Sequence, residues 1–189
     1  MDALMLLTAD HNRLRGLFTR FQQAEEADDT TTMGELCEQI LRELAVHAAI
    51  EEEDFYPAVR ELGEELGPVV AEGLEEHHVA ATLAPEIQAA ETGEQEWIAK
   101  VTVLIESVEH HASEEETEMF PRVRSAMDDR SLEDLAAAME RRRGQLGAPR
   151  LADKEHLSTS ELRELASSRD VPGRSTMNHE ELAATVGIY

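Results

Sequence analysis

The feature that most constrains this chain is a duplicated motif. A His and a Glu four residues apart are followed by a second Glu at +5 from the His, an aromatic residue at +9 and a proline at +10. Because the copies match position by position, the chain is predicted to fold as two similar halves. The copies are His47-x-x-x-Glu51 through Pro57 and His111-x-x-x-Glu115 through Pro121, preceded by the pairs Asp10-His11 and Glu76-His77.

Helical spacing turns this motif into a candidate metal site. Residues four apart on a helix share one face about one turn, roughly 5.4 Å, apart, so each His and Glu can reach one point inside a bundle. Ionisable residues on apolar stripes are costly to bury unless they are paired or coordinate metal. Imidazole suits iron among other transition metals, and carboxylates can bridge two ions. The predicted ligands are His11, His47, Glu51, His77, His111 and Glu115.

Neighbouring histidines leave an alternative register to weigh. His110 also has a Glu four residues later, and His78 follows His77 directly. The apolar residues three, seven and ten positions before His111 match those before the first motif, so His111 is preferred, and the apolar period also favours His77. His78 and His110 are predicted to be solvated or to lie beside the ligands. Two histidines outside the bundle, His156 and His179, are predicted to be surface residues.

Composition and apolar periodicity predict an all-α fold. Aromatic residues make up only 4% of the chain and charged residues 31%, while Ala, Leu and Glu abound. Helices are predicted near 2–27, 33–60, 68–90 and 94–127, and their short connections favour an antiparallel up-down-up-down four-helix bundle. Pro85 is expected to shorten or kink its helix. Predicted helix starts are Thr32-x-x-Glu35, Thr92-x-x-Gln95, Ser131-x-x-Asp134 and Ser158-x-x-Glu161.

The remainder of the chain is predicted to form two smaller parts. A short fifth helix, 131–143, completes a main domain of residues 1–143 and ends in three arginines before Gly144, a pattern typical of dipole complementation at a helix C-terminus. Residues 144–157 are predicted to be a linker, and 158–189 a small module of two helices around the Val171-Pro-Gly-Arg-Ser loop.

Charge excludes some partners. The net charge is −24, and residues 1–149 hold 12 basic against 34 acidic residues, so the bundle is expected to repel nucleic acid and anionic membranes. No stretch approaches the roughly 20 apolar residues of a membrane helix, and we expect a soluble cytoplasmic protein. Cys37, the single cysteine, is expected to be a small core residue without chemistry.

At the duplicated motif the sequence resembles the hemerythrin-like, HHE cation-binding family, over about residues 2–127. The resemblance implies a non-haem di-iron centre with an oxo or hydroxo bridge. It places His11 and His47 on one iron and His77 and His111 on the other. The residues that it implies as bridges are Glu51 and Glu115.

One departure from the oxygen-carrying members of that family bears on function. Those proteins have another His one turn from the third-helix ligand, whereas Gly73 and Ala81 occupy the positions four before and four after His77. Four His, two bridging carboxylates and an oxo or hydroxo bridge would leave about one open position on each of two six-coordinate ions. Two adjacent open positions favour peroxide chemistry or sensing over reversible oxygen carriage.

The last thirty residues resemble the helix-extended-loop-helix module at the N-terminus of transcription terminator Rho, in the stretch from Ser160-Glu-Leu-Arg through Val171-Pro-Gly-Arg to Glu180-Glu-Leu. Such modules can contact nucleic acid, but five basic and seven acidic residues from Arg150 onward make docking or packing an equal alternative. For the whole chain, three functions stay open. They are catalase-like disproportionation of hydrogen peroxide, sensing of dioxygen, nitric oxide or iron, and a bundle for iron handling or partner docking.

Overall fold

The computed structural model describes residues 1–147 together with Met177 and Leu182. Its described part is helical and has no strand. The predicted module at 158–189 lies outside the described residues except for Met177 and Leu182, and so does the predicted linker from residue 148 onward. The helices are α1 (Ala3–Glu26), α2 (Thr30–Ile50), α3 (Tyr56–Arg60), α4 (Gly67–Ala89), α5 (Gln95–Glu114), α6 (Phe120–Ala126) and α7 (Asp129–Gln145).

The long helices form the predicted bundle. α1 lies against α2 and α4 against α5, and contacts between α2 and α4 and between α1 and α5 close the ring. Short connections between consecutive helices make neighbours antiparallel. None of the helices in the described part is long and apolar enough to cross a membrane.

Two π-helical turns interrupt the second and fourth long helices, one in each copy of the duplicated motif. Glu51–Phe55 joins α2 to α3, and Glu115–Met119 joins α5 to α6. In each turn an amide bonds to the carbonyl five residues earlier, from Tyr56 to Glu51 and from Phe120 to Glu115. Prolines follow at once and have no N–H for the helical ladder. The predicted continuous helices therefore widen where the two predicted bridging glutamates lie.

Helix starts differ from three of the predicted capping boxes. Asp29 caps α2 by accepting a hydrogen bond from the Thr32 amide, so this helix begins before Thr32. Asp128 likewise caps α7 through the Ser131 amide. At α5 the N-cap is Glu94, without a side-chain hydrogen bond, rather than Thr92. At α2 and α7, an aspartate just upstream replaces the predicted Thr32 and Ser131 caps, because its carboxylate accepts these amide hydrogen bonds well.

Two helices also end later than their breakers suggest. α4 continues through Pro85 to Ala89, one residue before the predicted end at 90, so Pro85 does not end it. α7 includes Gly144 and ends at Gln145, two residues into the predicted linker. The left-handed glycine after α7 is Gly147, with φ +76°, and this conformation is the one that glycine adopts without strain.

A polar layer crosses the bundle between two apolar clusters. On α1, Ala9 belongs to one cluster and Leu14 to the other, with His11 between them. On α4, His77 lies between Val70 and Ala80 in the same way. The corresponding pairs are Leu44 and Ile50 around His47, and Val108 and Met119 around His111 and Glu115.

The fifth helix covers one end of the bundle. Leu132, Ala136 and Met139 of α7 are buried in the cluster that includes Ala9, at the three- and four-residue spacing of one helix face. Cys37 is buried in the opposite cluster, as predicted, and burial raises the pKa of its thiol to about 11.

Candidate metal centre

The structure brings all six predicted ligands into the polar layer. Each is at least nine-tenths buried, from Glu51 at 0% exposure to His77 at 6%. The rings of His11 and His47 lie 4.9 Å apart between centroids, and those of His77 and His111 lie 4.7 Å apart. The histidines thus form two pairs, grouped as the family resemblance implies.

Both carboxylates lie between the two pairs. Oε2 of Glu51 is 3.3 Å from His47 Nε2, 3.1 Å from His77 Nε2 and 3.8 Å from His111 Nε2. Oε2 of Glu115 is 3.4 Å from His11 Nε2 and 3.8 Å from His111 Nε2. Each glutamate therefore approaches a histidine of both pairs, as a carboxylate bridging two ions must.

Outer carboxylates fix the orientation of three of the four imidazoles. Nδ1 lies 2.8 Å from Glu116 in His11, 3.0 Å from Glu52 in His77 and 2.7 Å from Glu76 in His111. An ionised carboxylate only accepts hydrogen bonds, so Nδ1–H donates in all three rings and Nε2 faces the centre. This second layer of hydrogen bonds is the usual support of a metal-binding His.

The outer carboxylates follow the duplication. Glu52 and Glu116 come directly after the two central glutamates and are the second Glu of each motif copy. Asp10 and Glu76 come directly before the lone histidines of each half.

His47 is supported differently from the other three imidazoles. Its Nδ1 is 3.9 Å from Asp10 Oδ2. The Asp10 carboxylate is held instead by Arg13, at 2.7 Å, and by Arg143 of α7. Both guanidinium groups are buried, and with His47 they hold the pKa of Asp10 below its usual value although burial would raise it.

The arginine triplet at the end of α7 therefore does more than complement a helix dipole, which corrects the sequence interpretation. Arg143 is 2% exposed and reaches across to Asp10 on α1. Arg142 bonds Asp54 and Glu53 of the first π-helical turn. Both arginines bond residues of elements that form the site. No local sequence pattern indicates these contacts, because the partners are distant along the chain.

Tyr56 is a site residue that the sequence analysis missed. Its hydroxyl donates to Glu115 Oε1 at 2.9 Å, and its ring stacks on His77 at 5.6 Å. Burial and the neighbouring Glu51 and Glu115 raise the pKa of the phenol, so it keeps its proton. The repeat does differ at this position: the residue equivalent to Tyr56 in the second copy is Phe120, which lacks the hydroxyl.

Gly73 makes room for that hydroxyl. A Cβ atom on Gly73 would lie 2.7 Å from Tyr56 Oη and 3.4 Å from His111 Cε1. Gly73 occupies one of the two positions at which the oxygen carriers could place their fifth His. The Tyr56 hydroxyl fills this space, while Ala81, the other position, is exposed.

Mutual neutralisation sets the charges inside the layer. Burial would lower the pKa of His11 and His111, but the carboxylates around them outweigh it and raise these values to about 9 and about 11. Burial would raise the pKa of Glu51, yet His47, His77 and His111 hold it well below its usual value. The layer therefore pairs carboxylates with cationic groups, an environment in which a metal cation can replace protons.

Orphaned polar atoms test whether this donor set fits a metal. Among the described residues, several buried side-chain atoms have no hydrogen-bond partner, and most of these belong to the predicted ligands. Leaving such atoms unpaired is costly, and coordination removes the cost. The mixture of imidazole nitrogen and carboxylate oxygen fits iron or a related transition metal. The central orphaned atoms are His11 Nε2, His47 Nε2, both oxygens of Glu51 and Glu115 Oε2.

The neighbouring histidines lie outside this layer. His78 is exposed, and the His110 side chain is 64% exposed, whereas His77 and His111 are buried. His156 and His179, predicted to be surface residues, lie outside the described residues.

Comparisons with known proteins give a consistent picture. The hemerythrin HHE cation-binding domain model matches residues 2–123. An uncharacterised protein of Mycobacterium tuberculosis is 32% identical over 151 residues, which cover 79% of this chain and 90% of that protein. An uncharacterised hemerythrin-like protein of Schizosaccharomyces pombe is 26% identical over 133 residues, 70% of this chain and 64% of that protein.

A further relative is much longer. A DNA nickase of Nostoc is 29% identical over 136 residues, which are 72% of this chain and 37% of that protein. No solved structure matches the chain significantly. The family model covers more than half of the chain and spans all six predicted ligands. The chain therefore belongs to the hemerythrin HHE cation-binding domain family.

Proposed function

We propose that the chain is a non-haem di-iron protein that disproportionates hydrogen peroxide to dioxygen and water. The ligands would be His11 and His47 for one iron and His77 and His111 for the other. Glu51 and Glu115 would bridge the two irons. When bound, the irons supply redox cycling between ferrous and ferric states.

The observation that carries the proposal is the contact between Tyr56 and Gly73. Gly73 brings no side chain into the space beside His111, and the Tyr56 hydroxyl lies there instead of an imidazole. Together with an oxo or hydroxo bridge, the six ligands would leave about one open position per iron. Peroxide would then have access to both ions, which would favour turnover over storage of dioxygen at one ion.

The surrounding residues support this chemistry by holding protons and excluding water. Tyr56 keeps its proton and donates a hydrogen bond to Glu115. Three outer carboxylates accept hydrogen bonds from the Nδ1–H groups of the imidazoles, those of Glu52, Glu76 and Glu116. The apolar clusters on both sides of the polar layer keep bulk water from it. A cavity of about 540 Å³ lies on the outer side of the layer, between α1, α2 and the end of α7, and is lined in part by Asp10 and His47.

The proposal does not extend to nucleic acid. The Nostoc relative is named a DNA nickase, but this chain spans only 37% of that protein. Residues 1–149 hold 12 basic against 34 acidic residues, a balance that repels phosphate.

An oxygen electrode tests the enzyme proposal. Protein from iron-supplied cells should hold about two irons per chain and show a near-ultraviolet oxo-to-iron absorption band. It should release oxygen from hydrogen peroxide at a modest rate. The activity should be lost in chelated protein and in Glu115→Ala, and retained in the exposed control His78→Ala. If iron-loaded protein evolves no oxygen, sensing or binding of dioxygen, nitric oxide or iron becomes the better account.

A further inference from the structure

A second His/Glu cluster lies on the surface beside the buried centre. His110 and Glu114 repeat the four-residue spacing of His111 and Glu115, one position earlier on α5. His110 Nε2 is 3.3 Å from Glu114 Oε1 and 3.9 Å from Glu76 Oε1 of α4. One ligand atom from each of the three residues lies within 4.8 Å of the other two.

These distances suit a transition-metal ion. Bonds of about 2.0–2.2 Å place ligand atoms roughly 3.4 Å apart around a tetrahedral ion. An imidazole beside two carboxylates favours a divalent transition metal over magnesium or calcium, which prefer oxygen alone. Three protein ligands leave a position for water, so an ion held there can exchange.

Glu76 connects this cluster to the centre. Its Oε2 accepts from His111 Nδ1 at 2.7 Å, while its Oε1 is the oxygen nearest to His110. The His110 side chain is 64% exposed, that of Glu76 19% and that of His111 5%. The three side chains therefore form a path of decreasing exposure from solvent to the proposed ligand.

The cluster is not a by-product of the duplication. In the first half, the positions equivalent to His110 and Glu114 are Val46 and Ile50, which cannot bind an ion. The residue equivalent to Glu76 is Asp10, which Arg13 and Arg143 neutralise there. The His/Glu surface cluster therefore belongs to the second half and has no equivalent at the matching positions of the first half.

We propose that Glu76, His110 and Glu114 form a surface site for a divalent transition-metal ion and that this ion is passed from Glu76 past the His111 imidazole to the buried centre. The hand-over rests on the proposed metal centre. The surface site itself rests on side chains outside the six buried ligands, so it can be measured separately.

Metal binding and uptake test the proposal in the full chain. Calorimetric titration of chelated protein with Zn²⁺ should show one weaker ion per chain that is absent from His110→Ala and from Glu114→Gln. After mixing with Fe²⁺, the iron that resists a colorimetric chelator should build up several-fold more slowly in both variants and reach the same final level. His78→Ala is the matched control, because it removes an exposed His next to His77, the buried partner of His111. It should leave both readouts unchanged.

Two results separate this inference from the proposed function. If wild-type protein fills the buried centre and His110→Ala fills it at the same rate, or keeps the weaker ion, the surface site is overturned while the metal centre stands. If the weaker, His110-dependent ion binds but no iron becomes resistant to the chelator, the metal centre and the hand-over both fail.

Discussion

At the scale of the residue, one oxygen atom gives the two halves of the centre different hydrogen bonds. The rings of Tyr56 and Phe120 occupy equivalent positions in the repeat and stack on His77 and His11, at 5.6 and 6.0 Å. The Tyr56 hydroxyl adds a hydrogen-bond donor on one side of the layer that the Phe120 side lacks. This difference adds to the different support of His47 and gives the two pairs of histidines different surroundings.

Tyr56→Phe tests the importance of that donor. The substitution removes the hydroxyl that Phe120 also lacks and leaves the buried Glu115 Oε1 without its hydrogen bond, so the free energy of unfolding should fall by about 1–3 kcal/mol. Urea denaturation of the chelated protein measures it. Gly73→Ala should lower stability as well, because its Cβ would displace the same hydroxyl. Unchanged stability in Tyr56→Phe would show that this hydrogen bond contributes nothing.

At the scale of the element, α7 belongs to the site although it lies outside the four-helix ring. Its apolar face packs on the cluster at one end of the bundle, and Arg143 bonds the carboxylate beside His47. A cation buried this deeply is costly unless it is paired. The pairing of Arg143 with Asp10 therefore fixes the position of α7 relative to α1.

Arg143→Met should destabilise the protein by about 3 kcal/mol, since it keeps the aliphatic length but leaves Asp10 with one cation fewer in a buried position. Thermal unfolding followed by circular dichroism provides the measurement. Arg141→Met, at an exposed position of the same helix turn, should change the midpoint little. A shift of equal size in both variants would mean that α7 is sensitive to loss of any terminal arginine and that the contact with Asp10 is not special.

Sequence reasoning identified the six buried His and Glu positions of the polar layer but not all of their neighbours. The repeat and the apolar period identified His77 and His111 as inward-facing, because helical geometry relates residues three and four apart. It did not find the contact between Arg143 and Asp10, which joins residues 133 positions apart. A long-range ion pair has no periodic sequence pattern, and the dipole interpretation was a complete local explanation.

At the scale of the whole molecule, the fold consists of two apolar clusters separated by a layer of charge. Each cluster can be stabilised by burial of apolar surface. The layer between them contributes favourably only when its carboxylates and imidazoles have partners, because buried polar groups without partners oppose folding. Metal binding and folding should therefore be coupled in this protein.

Removal of metal tests this coupling. Chelated protein should melt at a lower temperature than iron-loaded protein, because a ligand bound at about 1,000 times its Kd adds about 4 kcal/mol to the stability of the folded state. Amide hydrogen exchange should increase most in α2 and α5 and in the π-helical turns that follow them, since these elements contain His47, Glu51, His111 and Glu115. Re-addition of Fe²⁺ should restore both readouts in wild-type protein and in His78→Ala, but not in Glu51→Ala, which lacks a carboxylate shared by both pairs of histidines. Equal melting temperatures with and without iron would mean that the layer is stable through its internal ion pairs alone, and would count against a buried metal centre.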